Sequence, residues 1–332
     1  MNDSTVTILD VARLAGVSKT TASDALRRRG RVSLATREAV DRAAERLGYT
    51  PNRSARSLRT STTETIGLHI PEFLIRSEYY MSFAFGVVGE AEASGYDVTI
   101  ISSEHRPGRD RMPHVDGLIL CDPVAGEPMM EALIHTSLPV VTREPFPGDE
   151  ITAGTIRSDY DASMVELLDH LNAHQGQRPA LLGTTTPSDW ATTLHATYDS
   201  WCAQHHIDPV RREVPFGSAV DVPREAVAEI LRDEPAIDAL VCVQDGVAAA
   251  VVPAIQASGG HVGDDFLLAS CVDSSAMQIA DPPITAIDTK PRESGAACAR
   301  LLFDVVSGEA EEGAERYIPI ELHTRRSTHP AR

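Results

Sequence analysis

Residues 7–26 read TILDVARLAGVSKTTASDAL, and their spacing decides what the start of this chain folds into. Ile8, Val11, Ala12 and Ala15 share one face of a helix over 8–15, with Thr7 placed to cap it. Gly16 supplies the positive φ that stops such a helix, and Val17 can bury in the turn. Ser18 then caps a second helix, Lys19 to about Arg27. Ser33 caps a third, Leu34 to Leu47, with Ala39, Val40, Ala43 and Leu47 facing inward and Gly48 ending it. Three short helices with a glycine turn between the first two match a helix-turn-helix unit; the alternative is a small helical bundle with no role on DNA.

Charge separates this head from the rest. Residues 1–60 hold 12 Lys and Arg against 6 Asp and Glu, whereas the chain of 332 residues holds 30 against 48. The head is therefore +6 and the remainder −24, which confines any polyanion contact to the head. In a helix-turn-helix the second helix enters the major groove, whose width admits one helix. Its exposed residues are Lys19, Thr20, Thr21, Ser23, Asp24 and Arg27. Short hydroxyls at Ser18, Thr21 and Ser23 let the helix start approach phosphate and donate to it. Lys19 can donate to guanine, and Thr20 can meet a base edge or a thymine methyl. Asp24 either accepts from cytosine N4 or pairs with Arg27 or Arg28.

The segment 49–65, YTPNRSARSLRTSTTET, discriminates further. Ala55 and Leu58 share a face, ringed by Arg53, Arg56 and Arg59. A stretch this short does not hold a helix alone in water. It either folds on a minor groove, with Leu58 wedged between base steps and the arginines on phosphate, or serves as a flexible basic linker.

Residues 7–26, the string RVSLATREAVDRAAERLGYTPNRSARSLRT at 31–60 and TIGLHIP at 65–71 together closely resemble the lactose-repressor (LacI/GalR) family of bacterial transcription regulators. The resemblance implies a homodimer with a helix-turn-helix headpiece, a hinge helix and a two-lobed effector-binding core built like a sugar-binding periplasmic protein. It places Lys19, Thr20 and Asp24 at base-reading positions, Ser18 and Thr21 on the phosphate side, and Asn52, Ala55 and Leu58 in the hinge. The family often carries arginine or another donor where this chain has Asp24. The expected domains are a DNA-binding unit over 1–50, a hinge over 51–62 and an effector-binding and dimerisation core over 63–332.

The body is expected to be α/β, with parallel sheets flanked by helices. Candidate strands at 65–70, 97–102, 115–121, 139–142, 179–183, 239–243 and 266–272 alternate with candidate helices at 79–94, 127–136, 160–173, 191–205, 223–232, 246–258 and 291–307. Ligands of such folds bind beyond the carboxyl ends of the strands. Tyr80, Trp190, Gln244 and Asp273 offer aromatic faces, an amide and a carboxylate there for a small polar effector. The resemblance puts Gln244 and Asp273 at effector positions and Thr192 where an arginine often stands; it implies a sugar or sugar derivative as effector. Asp159 and Asp245 read first as helix N-caps. The segment 102–117, SSEHRPGRDRMPHVDG, is Pro- and Gly-rich where the family usually has a helix, so a shortened or missing helix is expected. No leucine heptad near the C-terminus argues for a coiled coil.

No run of 18 apolar residues, no signal-like start and five scattered cysteines favour a cytoplasmic protein acting at the nucleoid, with no disulfide framework or metal site. No phosphate-binding, dinucleotide-binding or serine-elbow string appears. The adjacent His205 and His206 lack a metalloprotease frame, and the twelve histidines read as surface or capping residues. No cofactor is expected. The reading is a ligand-responsive, sequence-specific DNA-binding regulator of sugar or related genes, most simply a repressor; a binding receptor or a sugar-processing enzyme is the alternative. Leu58→Ala is expected to weaken specific operator binding by at least tenfold in a gel-shift titration while effector affinity stays the same, since the wedge lies outside the body.

Overall fold

In the computed structural model, residues 6–26, 32–49, 62–71, 77–101, 114–124, 126–148 and 150–329 are described. The chain parts into two units, Met1–Thr63 and Glu64–Arg332. In the first, α1 (Ile8–Ala15) opens where the Asp10 carboxylate accepts from the Thr7 backbone N–H at 3.0 Å and the Thr7 hydroxyl at 2.7 Å. These bonds hold Asp10 below the usual carboxylate range and set a negative charge on the helix start. The helix stops at Gly16, φ 68°. Helix α2 (Lys19–Leu26) starts on Ser18, whose Oγ accepts from the Thr21 N–H at 3.1 Å. Helix α3 (Leu34–Leu47) starts on Ser33, whose Oγ accepts from the Thr36 N–H at 3.2 Å. Val11, Ala12, Ala22, Ala25, Val40, Ala43 and Ala44 form the core, and Leu47 packs at its rim. Five of those seven are alanines, so the three helices meet closely. Ala44 takes the inward place expected of Ala39, which is half-buried.

The second unit holds two six-stranded sheets. The first runs β11–β5–β4–β3–β1–β2, from β1 (Thr65–His69), β2 (Asp97–Ile101), β3 (Leu118–Cys121), β4 (Val140–Arg143), β5 (Gly154–Arg157) and β11 (Ala314–Tyr317), all parallel. The second runs β12–β10–β9–β8–β6–β7, from β6 (Pro179–Thr184), β7 (Val210–Val214), β8 (Ala239–Cys242), β9 (Leu267–Ser270), β10 (Thr285–Asp288) and β12 (Glu321–His323). Only β12 is antiparallel there. Helices α4 (Glu78–Ser94), α5 (Pro128–Ile134) and α11 (Pro291–Ser307) belong to the first lobe, and α6 (Tyr160–Ala173), α7 (Asp189–Gln204), α8 (Asp221–Asp233), α9 (Val247–Ala257) and α10 (Ser275–Ile279) to the second. The chain passes between the lobes after β5, after β10 and after β11. No described helix is long and apolar enough to cross a membrane.

Every strand and helix expected in the body is present, with ends moved by a few residues. Strands β5, β7, β10, β11 and helix α10 had not been anticipated, while the stretch from Arg316 onward, expected to end in a strand and a polar tail, holds β12. The expectation for 102–117 falls mostly on residues outside those described, as does all of 51–61.

Two glycines set the spacing of the first lobe. A Cβ on Gly295 of α11 would stand 2.1 Å from the Phe83 carbonyl oxygen of α4, and one on Gly86 would stand 2.0 Å from the Arg292 carbonyl oxygen. The two helices therefore touch backbone to backbone. Gly295→Ala must push them apart and is expected to cost about 1–3 kcal/mol, read as a lowered midpoint in urea unfolding.

Candidate nucleic-acid interface and effector cleft

On α2 the burial of Ala22 and Ala25 against the core turns Lys19 and Thr20 outward, while Thr21 and Asp24 are half-exposed. The expectation for Ser23 needs correction: it is 8% exposed, because its neighbours Ala22 and Ala25 carry it to the edge of the buried stripe. Ser18 Oγ and Thr21 Oγ1 lie 2.8 Å apart. One hydroxyl proton is spent between them, and the other remains for an outside acceptor. Arg27, Asn52, Arg53, Ala55 and Leu58 lie outside the described residues, as do Arg28 and hence the intrahelical partners considered for Asp24.

In the body, a cleft of about 330 Å³ opens between the lobes. The first lobe contributes Ser77, Tyr79 and Tyr80 from the start of α4 and Asp122 from the end of β3. Tyr160 stands at the first crossing and Thr289 at the second. The second lobe adds Trp190 from α7, Phe216 after β7, Asp245 after β8 and Val272 after β9. Strand order explains the gathering, since carboxyl ends of parallel strands from both sheets face the same gap.

Its walls are aromatic. Tyr79 and Tyr80 meet edge to face at 4.9 Å, and Tyr80 meets Phe216 of the other lobe at 6.4 Å. The Tyr80 hydroxyl donates to Asp122 Oδ2 at 2.7 Å. Burial raises the Asp122 carboxyl above its ordinary range, although Tyr80 and Arg143 oppose the shift. Arg143, fully buried, donates to the Ile156 carbonyl at 3.1 Å, Ser158 Oγ at 3.0 Å and the Tyr160 hydroxyl oxygen at 2.7 Å, and pairs with Glu144. Burial pushes Tyr160 up to about 12, so it stays protonated. Its oxygen accepts from Arg143 and lies beside the Ser158 hydroxyl at the cleft wall. Thr289 is 2% exposed, and its Oγ1 has no protein partner, which leaves a hydroxyl for a ligand.

The mouth is closed by an exchange between lobes. Asp245 Oδ2 accepts from Ser77 Oγ at 2.7 Å and the Glu78 N–H at 3.1 Å. Glu78 Oε2 in return accepts from the Ser275 N–H at 3.1 Å and the Ser275 hydroxyl. Asp245 is thus a helix cap, but of a helix in the opposite lobe; Asp159 caps its own helix, accepting from the Ala162 N–H at 2.9 Å.

Tyr80 and Trp190 line the cleft, whereas two expected effector residues do not. Gln244 is buried and engaged within the second lobe: its Oε1 accepts from the Gly217 N–H at 3.3 Å and its Nε2 donates to the Val214 carbonyl at 3.1 Å. It holds the loop that carries Phe216. Asp273 takes a two-pronged pair with Arg325, at 2.9 and 2.6 Å, and a third contact from His323 Nδ1 at 3.2 Å. Its neighbour Val272 faces the cleft instead. Thr192 is exposed and outside the lining. Tyr79, Tyr160, Phe216 and Thr289 escaped the sequence reading. Phe216 and Thr289 follow two strands that reading did not contain.

Asp122→Asn keeps the acceptor for Tyr80 but removes a carboxylate that burial disfavours. The variant is expected to unfold in urea at pH 7 at a midpoint no lower than the parent's, and to bind effector about tenfold or more weakly, on the scale of one charge-assisted hydrogen bond. A lowered midpoint with unchanged affinity would reverse the assignment of Asp122 from ligand contact to structural support.

Comparison with known proteins accords with this arrangement. Residues 7–52 match the model for bacterial regulatory proteins of the lacI family, and residues 168–328 match a periplasmic binding protein-like domain. The chain is 27% identical over 350 residues to the HTH-type transcriptional regulator CelR of Thermobifida fusca, covering 96% of each. It is 27% identical over 340 residues to the maltose regulon regulatory protein MalI of Escherichia coli K12, covering 96% of this chain and 97% of that one. Among solved structures, a complex of the regulator CelR with cellobiose superposes with a TM-score of 0.73 at 25% identity, over 97% of this chain and 99% of that one. The Lac repressor dimer bound to operator and an anti-inducer shares the fold, with a TM-score of 0.81 at 24% identity over 98% and 99%. With a DNA-binding unit ahead of a two-lobed ligand-binding core, the chain belongs to the LacI family of transcription regulators and is not an enzyme.

Proposed function

We propose that this regulator reads a near-palindromic operator as a homodimer and answers to a neutral sugar held between its lobes. The observation that carries the effector class is the lining itself: five aromatic side chains and the carboxylates Asp122 and Asp245, with no lysine or arginine among the described residues. Aromatic faces cover the apolar C–H faces of a sugar ring, and carboxylates with the Tyr160 and Thr289 hydroxyls satisfy its hydroxyl groups. A phosphorylated or carboxylated metabolite would meet two acids and, among the described residues of the lining, no counter-charge. The cellobiose complex of the related regulator supports the same class.

Lys19, Thr20 and Asp24 read base edges in this proposal, and Ser18 and Thr21 hold phosphate. Arg27 flanks them, and the segment with Asn52, Arg53, Ala55 and Leu58 folds over the operator centre. The action as a repressor in the cytoplasm, on nucleoid DNA, follows from that reading. Dimerisation is supported by an apolar stripe on α4: Met81, Phe85 and Val88 are 47%, 56% and 41% exposed at helical spacing, and edge strand β2 exposes Ile100. Such a stripe on a water-facing helix suits a second copy of itself.

Thermal shift with neutral mono- and disaccharides, run beside their phosphate esters, tests the effector class. A neutral sugar is expected to raise the melting point and change operator affinity by roughly 5–150-fold, the span of a coupling of about 1–3 kcal/mol. Stabilisation by phosphate esters alone overturns the reading. For the dimer, Phe85→Glu is expected to give monomers in sedimentation at a concentration where the parent is dimeric, and to cut operator affinity by at least about tenfold through loss of the second half-site.

A further inference from the structure

Three histidines meet far along the chain from the head, on a part of the second lobe that takes no part in the cleft. His170 lies in the last turn of α6 and His174 just beyond it, so their spacing of four puts both on one side. His329 reaches them from the chain's tail. The ring nitrogens available to a ligand all lie within 4.8 Å of one another, and the ring centroids are 4.3, 5.4 and 4.8 Å apart.

The outer nitrogens are already committed. His174 Nδ1 lies 2.8 Å from the His170 carbonyl oxygen; a carbonyl only accepts, so Nδ1 carries the proton and Nε2 offers a lone pair. His170 Nε2 lies 2.7 Å from Thr328 Oγ1, and that hydroxyl donates to the Arg325 carbonyl at 3.3 Å. Thr328 Oγ1 also meets Thr285 Oγ1 at 2.6 Å, so Nε2 of His170 is engaged by a hydroxyl pair and Nδ1 is the nitrogen left to a ligand. The His174 imidazole is thus fixed in a ligand-ready tautomer by a backbone partner, and His170 is oriented by a hydroxyl, as outer partners orient metal-bound histidines.

We propose that His170, His174 and His329 form a transition-metal site, best suited to zinc(II), which ties the tail to the end of α6. Three imidazole nitrogens and an open fourth position suit zinc, with cobalt(II) and nickel(II) as close substitutes. Ligand nitrogens about 2.0–2.1 Å from a tetrahedral ion stand about 3.4 Å from one another. The exposed His329 supplies the movement needed to close to that separation. The tail bound in this way also carries Arg325, the partner of Asp273 beside Val272 of the cleft wall.

The test uses the full chain, free of any histidine tag and stripped with a chelator. Zinc is titrated in competition with a chromophoric chelator, and cobalt(II) is followed by the visible bands of tetrahedral coordination. One equivalent per chain is expected. His174→Gln and His329→Gln should each weaken zinc by at least about 100-fold, beyond the roughly 10–100-fold cost of losing only an outer partner, while His205→Gln leaves affinity unchanged. Circular dichroism establishes that each variant is folded, and His329→Gln, at an exposed position, leaves the fold untouched. Absence of binding by the folded parent overturns the proposal. So does stoichiometric binding that survives both substitutions.

Discussion

The two lobes face each other as they do because a carboxylate of one holds the helix start of the other. The first turn of α4 presents backbone N–H groups with no partner inside the helix and the positive end of its dipole. Asp245, at the end of a strand in the opposite sheet, takes one of them and the Ser77 hydroxyl, and Glu78 returns the contact to Ser275. These bonds exist only while the lobes are close. They sit at the edge of a cleft whose other contacts are aromatic rings, Tyr80 against Phe216. A ligand that bonds Asp245 competes with this closure, and one that bridges Asp122 to Thr289 reinforces it. The sign of the response therefore depends on which of these groups the ligand occupies.

Rigidity behind the cleft comes from Arg143. A guanidinium buried without partners would be costly. Here its Nη1 and Nη2 donate to a carbonyl, a serine and a tyrosine beside the Glu144 carboxylate, while Nε has no partner among the described residues. Burial opposes the charge, yet Tyr160, Tyr79 and Asp122 around it raise its pKa. Because Tyr160 opens α6, this network fixes the place where the chain first passes between lobes. The same residue lines the cleft, so ligand contact and lobe linkage share a side chain.

Much of the fold was legible because parallel strands buried on both faces read as apolar runs, as in LILC and ALVC. The strands missed are short or lie at sheet edges. β7 reads VRREV and β11 reads AERY, polar strings whose residues are mostly exposed or half-buried. The strand-end rule points to this cleft, but Gln244 and Asp273 lie one residue away from its lining residues Asp245 and Val272. Successive side chains of an extended segment point to opposite sides. After β8, Gln244 turns into its own lobe and Asp245 into the gap. After β9, Val272 turns into the gap and Asp273 toward Arg325. Residue type alone does not carry this side-chain direction: it favours Asp273 over Val272 and does not separate Gln244 from Asp245. Ser23 is less exposed than expected for the corresponding helical reason, lying next to the buried Ala22 and two residues from the buried Ala25.

The order of the chain through the two sheets governs how this protein is made. Residues 160–288 supply nearly the whole second lobe in one run, while the first lobe is interrupted: β1 to β5 precede that run, and α11 and β11 follow it. As the chain leaves the ribosome, the second lobe can fold around its own neighbours while the first waits for the helix that packs on α4 through Gly86 and Gly295. During that interval the apolar face of α4 stands uncovered, which marks synthesis of the middle of the chain as the period of greatest exposure to aggregation and chaperone capture.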